Sequence, residues 1–313
     1  MHTQYIAVDL GGTNMRVARF DREEAVPTEL TKVPTLADEG PDAVIHRMVE
    51  TIKSIQDPEN SDIRIGVGAP GPIDPRQGLI YEAPNLPGWH NIRLQERLQD
   101  DFDCPIAIGN DANVAALGEW RHGAGRGSDN IIYLTISTGI GGGVITDGQL
   151  LIGAKGVGAE LGHLLVEPDG PRCGCGQDGH LEAVASGTAI ARSARQRLAA
   201  GASSSLNDVE GELSATEVGN AAISGDDLAT EIIQKAAEYI GRAMADYCHI
   251  FNPEIYGLGG GVSELGDFLF DPIRESLEHH VMHPIYVKDL KIVPAELGDD
   301  AGLVGAKALA EAL

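Results

Sequence analysis

The chain has 313 residues, 42% of them hydrophobic, and 23 Lys and Arg against 47 Asp and Glu, a formal charge of −24. That length suits roughly two domains with a sizeable core, and the charge argues against nucleic acid and anionic membrane surfaces as partners. No apolar run approaches the ~18 residues of a membrane span, and the N-terminus has no basic, apolar leader pattern, so the chain reads as cytoplasmic.

The acid excess is dispersed. Asp occurs 24 times and Glu 23, while Lys occurs 7 times against 16 Arg. A disordered acidic chain lacks periodic apolar segments, and this one has many. The plain reading is an acidic cytosolic protein. The sharper expectation is a halophilic one, whose scattered carboxylates hold water and cations at high salt.

Strands and helices alternate along the chain. The apolar run 5–10 ends at a glycine pair and is followed closely by 15–20, which predicts a hairpin. Helical spacing runs through Val44, Ile45, Met48, Val49 and Ile52, predicting a helix over 42–56. Residues 63–69 read as a strand that breaks at Pro70-Gly71-Pro72, and 105–110 as a strand leading into a helix over 112–121. A second hairpin, 131–137 and 142–146, surrounds a glycine cluster, and 201–214 reads as a surface loop before a helix opened by Ser214. The segment 228–251 is a long helix with Ile232, Ile233, Ala236, Ala237, Ile240, Ala243, Met244, Tyr247, Cys248 and Phe251 on one face, and Pro253 stops it. A strand ending in glycines follows at 255–261. The order of strand, glycine loop, strand, helix and glycine-ended strand occurs twice. This predicts two copies of one α/β unit facing each other across a cleft.

The chemistry gathers at the loops. There is no G-x-x-x-x-G-K-[ST] and no dinucleotide glycine fingerprint. Asp9-Leu10-Gly11-Gly12-Thr13-Asn14 instead sits at the tip of the first hairpin. There glycines let backbone N–H groups approach phosphate closely, Thr13 and Asn14 can add donors, and Asp9 can hold Mg²⁺ directly or through water. Ser137-Thr138-Gly139-Ile140-Gly141-Gly142-Gly143 offers the same set, although glycines at hairpins are ordinary. Asp111, in Asn110-Asp111-Ala112-Asn113, is either a helix N-cap or a general base. His163, Cys173, Cys175 and His180 lie in a glycine-rich loop and suit a closed, structural zinc site. Cys104 and Cys248 are solitary and read as small core residues.

These segments, in this order, resemble the ROK family of sugar kinases over nearly the whole chain. The residues that carry the resemblance are Asp9-Leu10-Gly11-Gly12-Thr13, Ala83-Pro84-Asn85-Leu86 with Gly88-Trp89, Asn110-Asp111-Ala112-Asn113, Ser137 to Gly143, Glu160 with His163, and Cys173-Gly174-Cys175-Gly176. The resemblance implies the actin/Hsp70-like (ribonuclease H-like) ATPase fold, with two α/β domains around a cleft. These would be a small one over 1–109, to which a C-terminal helix near 300–313 returns, and a large one over 110–299 with the zinc loop at 160–182. It implies a kinase that moves the γ-phosphoryl group of ATP to the 6-hydroxyl of glucose, with Mg²⁺ and a structural Zn²⁺, in a homodimer or higher homo-oligomer. Kinases for N-acetylglucosamine, N-acetylmannosamine, fructose or mannose are the alternative, and a sugar-sensing regulator a further one. By the same resemblance Asp111 is the base, and Gly71, Asn85, Asn110, Glu160, His163 and Glu182 bind sugar. Asp9, Gly11, Gly12, Thr13, Thr138 and Gly139 bind phosphate, and Gly259, Gly260 and Gly261 lie by adenosine. The family's zinc loop usually reads Cys-x-Cys-Gly-x-x-Gly-Cys-x-Glu. Here His180 stands at the last Cys, so the expected ligand set is His163, Cys173, Cys175 and His180.

Overall fold

The first apolar run forms β1 (Gln4–Leu10), which turns over residues 11–13 into β2 (Asn14–Phe20). The computed structural model describes residues 3–21 and 25–313. The first half continues with β3 (Glu29–Pro34), α1 (Pro41–Ile55), β4 (Ile63–Ala69), β5 (Ile73–Asp74), β6 (Leu79–Glu82), β7 (His90–Arg93), α2 (Leu94–Gln99) and β8 (Ile106–Asn110). The second half runs through α3 (Asp111–His122), β9 (Ile131–Ile136), β10 (Ile140–Thr146), β11 (Gln149–Leu150), α4 (Leu181–Ala185), α5 (Gly187–Ala199) and α6 (Ala215–Ile223). It ends with α7 (Asp227–Phe251), β12 (Ile255–Gly259), α8 (Asp267–His280), β13 (Lys291–Pro294) and α9 (Ala301–Glu311).

Two five-stranded sheets share one plan. The first is ordered β3-β2-β1-β4-β8 and the second β11-β10-β9-β12-β13. In each, the first three strands of the order pair antiparallel and the last three parallel. The repeat read from glycine spacing is therefore a repeat of topology. Loops that follow corresponding strands meet at corresponding ends, where open α/β sheets bind ligands.

Each sheet has its own apolar core. The first is built on Ile6, Val8, Ile65 and Val67 under α1, and the second on Ile132, Leu134, Tyr256 and Leu258 under α7. Along α7 the expected face is buried from Ile232 through Cys248, while Phe251 at its end is half-buried. Each fully buried Ile or Leu there contributes about 1.5–3 kcal/mol relative to exposure. Asn252 closes α7 in the left-handed region at φ 47°. Ser214 opens α6 with a reciprocal capping box to Glu217.

Helix α9 lies against β4 of the first sheet and against α3. The approach is too close for side chains at two points. A Cβ on Gly66 would lie 1.9 Å from the Ala306 carbonyl oxygen, and one on Gly305 would lie 1.8 Å from that of Val114. Helix α3, which carries Asp111 at its start, is thus locked between β10 and α9. The second hairpin also differs from its expected bounds. β10 begins at Ile140, two residues before the expected start at 142, so Gly141 lies inside the strand with Gly142 and Gly143. A Cβ on Gly143 would stand 2.6 Å from the Ala116 Cβ, so these glycines serve the close packing of α3 on the sheet.

Candidate active site

Between the sheets lies a cleft of about 1110 Å³, enough for a sugar and a nucleotide together. Its wall holds Asp9, Gly71, Asn85, Asn110, Asp111, Thr138, Gly139, Glu160, His163, Glu182, Gly259, Gly260 and Gly261. Residues up to 252 positions apart in sequence therefore meet in one space. Gly11, Gly12, Thr13 and Asn14 are not on that wall. The Gly11 N–H is used within the turn by the Asn14 carbonyl oxygen at 3.0 Å, and Gly12 backs onto Asn85.

Asn110 is the N-cap of α3, and Asp111 is its first helical residue. The Asn110 Oδ1 accepts from the Asn113 N–H at 3.1 Å, while its Nδ2 donates to the Gly71 carbonyl at 3.1 Å and to Asp111 Oδ1 at 3.0 Å. Capping thus falls to Asn110, and the Asp111 carboxylate is free to face the cleft, held by the Ala112 N–H at 2.8 Å. Although the cleft mouth leaves it open to solvent, protein atoms surround it closely. Burial, opposed by the Ala112 N–H and reinforced by the charges of Asp9 and Glu160, pushes its carboxyl up to about 6. Burial also raises Glu160, with His163 opposing and Glu182 reinforcing.

Glu182 ties two loops together. Its Oε2 accepts from the Ile140 N–H at 3.1 Å, beside Thr138 and Gly139, and its Oε1 accepts from the Cys173 thiol at 3.4 Å. Behind it, His163, Cys173, Cys175 and His180 bring their donor atoms within 4.8 Å of one another. Cys173 Sγ lies 3.6 Å from His163 Nδ1, and Cys175 Sγ lies 3.2 Å from His180 Nδ1. Bonds of 2.0–2.3 Å at tetrahedral angles put zinc ligands roughly 3.3–3.8 Å apart; the two Cys–His contacts are near that range, and the set as a whole, spread over no more than 4.8 Å, needs only a small contraction to close on the metal. The loop is pinned independently, through the Val166 N–H on the Gly179 carbonyl at 3.0 Å and the Cys173 N–H on the Gln177 carbonyl at 2.7 Å.

The sequence reading did not single out the cation of this wall. Arg16 is the only Lys or Arg on the cleft wall among the described residues. Its Nη2 and Nε donate to Asp9 Oδ2 at 2.7 and 3.1 Å, and Nη1 reaches Asp300 Oδ1 at 3.3 Å. Asp9 and Arg16 are cross-strand partners of the first hairpin. Counting back across its turn was the signal that could have found the pair.

The ROK family model matches residues 5–312. The chain belongs to the ROK family. It is 43% identical to a glucokinase of Thermotoga maritima over 307 residues, covering 97% of this chain and 96% of that protein. It is 32% identical to an N-acetylmannosamine kinase of Citrobacter koseri over 307 residues, covering 98% of each. A ROK family glucokinase of Streptomyces griseus, solved with glucose and AMPPNP, superposes with a TM-score of 0.82 at 34% identity, covering 99% of this chain and 100% of that one. The paired sheets are thus the actin/Hsp70-like ATPase fold of the ROK sugar kinases.

Proposed function

We propose that the protein is an ATP-dependent glucokinase, transferring the γ-phosphoryl group to the 6-hydroxyl of glucose. The observation that carries this reading is one cleft whose wall holds Asp111, the set Glu160, His163 and Glu182, and the set Thr138, Gly139 and Gly259 to Gly261 together. Phosphoryl transfer is mostly positioning and charge neutralisation. In this reading Asp111 accepts the proton of the 6-hydroxyl as its oxygen bonds to phosphorus, and the bond to the ADP oxygen breaks. Asn85, Glu160, His163 and Glu182 receive the sugar hydroxyls, and Asn110 holds Gly71 and Asp111 in place. The Thr138-Gly139 backbone cradles phosphate, and Gly259 to Gly261 let adenosine lie close to the chain. Asp9 is the carboxylate for the Mg²⁺ that accompanies ATP, with Gly11 to Asn14 shaping its hairpin.

A zinc held by His163, Cys173, Cys175 and His180 would lock the loop and fix the His163 ring, which lines the cleft as well. We further propose that residues 1–109 with the C-terminal helix, and 110–299, act as two domains that close over the sugar, in a cytoplasmic homodimer or higher oligomer. The partners this reading calls for are the sugar and ATP, with no nucleic acid or membrane. Among the described residues no helix is long and apolar enough to cross a membrane.

A panel of hexoses assayed with ATP tests the reading, with glucose expected as the best acceptor. Preference for N-acetylmannosamine would favour the second reading, which the Citrobacter koseri relative supports. Sugar binding without phosphorylation of any hexose would point to a regulator.

Two further outcomes are expected. Arg16→Ala frees Asp9 and strips the cleft of its guanidinium, so KM for ATP should rise roughly tenfold, the worth of a hydrogen bond to a charged group. An unchanged KM for ATP would show that the Asp9–Arg16 pair does not bear on nucleotide binding. The charge of −24 should make the fold depend on salt, because unscreened repulsion destabilises the compact state. Dialysis into dilute buffer should then lower the melting temperature and activity together, and full activity at low salt would exclude halophilic adaptation.

A further inference from the structure

Glu119 lies two helical turns beyond Asp111 on α3, about 12 Å along the axis at 1.5 Å per residue. It is completely buried, at 0% exposure. A buried carboxylate is costly unless its oxygens are satisfied. Here three backbone N–H groups satisfy it. Oε2 accepts from Ala124 at 2.9 Å and from Glu296 at 3.1 Å, and Oε1 accepts from Leu297 at 2.8 Å. The turn after α3 closes around the same carboxylate, since a Cβ on Gly123 would lie 2.1 Å from Oε2.

The far donors belong to the segment between β13 and α9. Its neighbours Pro294, Ala295, Gly298 and Asp299 line the cleft, whereas Glu119 does not. The Ala295 N–H donates to the Leu258 carbonyl at 2.9 Å, and a Cβ on Gly259 would stand 3.2 Å from the Ala295 Cβ. This segment is therefore the wall that continues from Gly259 to Gly261. An apolar side chain would fill the space beside α3 as well. Only an acceptor with two lone-pair-bearing oxygens also dictates where the Glu296 and Leu297 amides stand.

We infer that Glu119 is a positioning residue that sets the nucleotide-side wall at 294–299 against the helix bearing Asp111. This inference rests on the nucleotide site proposed above. Glu119 touches no reactant. It fixes the distance between the adenosine wall and the base by joining both to one rigid helix.

Glu119→Gln is the test, because an amide nitrogen would face N–H donors in place of an acceptor. ADP affinity by calorimetry and KM for ATP should weaken roughly tenfold to a hundredfold, as for loss of hydrogen bonds to a charged group. KM for glucose should stay within about twofold, the split that separates a nucleotide-side effect from general damage. The amides of Glu296 and Leu297 should exchange faster. Equal weakening of sugar and nucleotide would overturn the inference, and so would freed amides with unchanged ADP affinity. If Glu119→Gln does not fold, Leu297→Pro removes one donor and leaves Glu119 whole, at a φ of −87° that is close to proline's range. Unchanged ADP affinity in that variant would overturn the inference as well. ADP binding is read directly, so a wild-type protein that binds ADP but leaves glucose unphosphorylated would sink the glucokinase reading alone. A wild-type protein that binds no ADP would end both.

Discussion

Replacing Asp111 by Asn should lower kcat by roughly 10²–10⁴, the usual worth of a positioned general base, with folding intact. The substitution keeps the shape and an oxygen able to accept from the Ala112 N–H at 2.8 Å. The α3 cap is untouched, because Asn110 supplies it. The electrostatics predict the sign for stability. A carboxyl whose folded value is raised to about 6 binds its proton more tightly in the native state. Its stabilising contribution is complete below the unfolded value of about 3.9 and lost as pH rises through about 6. At pH 7 its ionisation therefore works against the fold, and the Asn variant should melt no lower than the parent. Activity has the opposite dependence. Only the ionised carboxylate can accept a proton, so kcat/KM for the sugar should fall as pH drops through about 6, and this limb should vanish in the variant. Turnover near that of the parent would overturn Asp111 as the base.

What the sequence disclosed follows the range of the forces involved. Helix α7 and strand β4 were legible to within a residue, because periodicity and stop signals at Pro253 and Pro70 are local. So was the cap at Ser214, whose partner Glu217 is three residues on. Asn110 and Asp111 are adjacent and both cap well. Which of them takes the role depends on where β8 ends, and that is fixed by pairing with β4. The start of β10 was read two residues late, at Gly142, because the glycines at 141–143 have no side chains to give a periodicity. Their purpose is the close passage of α3, a contact that no spacing encodes. Arg16 lay hidden in a register and Glu119 in bonds to amides 177 and 178 positions away. Asp9, Asp111, Glu160 and Glu182 could be read as motif residues, but the wall at 294–299 and the bonds that hold it in place could not. Net charge was legible at once, yet the cleft departs from it by keeping one guanidinium among its carboxylates.

Cys173→Ser should strip the loop of metal and, through His163, weaken sugar binding while sparing nucleotide. The parent is expected to carry one zinc per chain by elemental analysis, and the variant well under one. Cys173 is 5% exposed and touches both His163 and Glu182, so its loss should disturb the candidate metal set and the proposed sugar wall together. Losing a group that orients a metal site typically costs 10–100-fold, and a rise of about that size is expected in KM for glucose, with KM for ATP within about twofold. His180→Cys provides the opposing control. A thiolate suits zinc as well as an imidazole does, and it would restore the loop pattern usual in the family. That variant should keep its zinc and its activity. If the parent itself bound well under one zinc per chain, His180 would mark a loop that has lost its metal. The short contacts between Cys175 and His180 and between Cys173 and His163 would then hold the loop as hydrogen bonds alone, and chelators would leave the kinase unchanged.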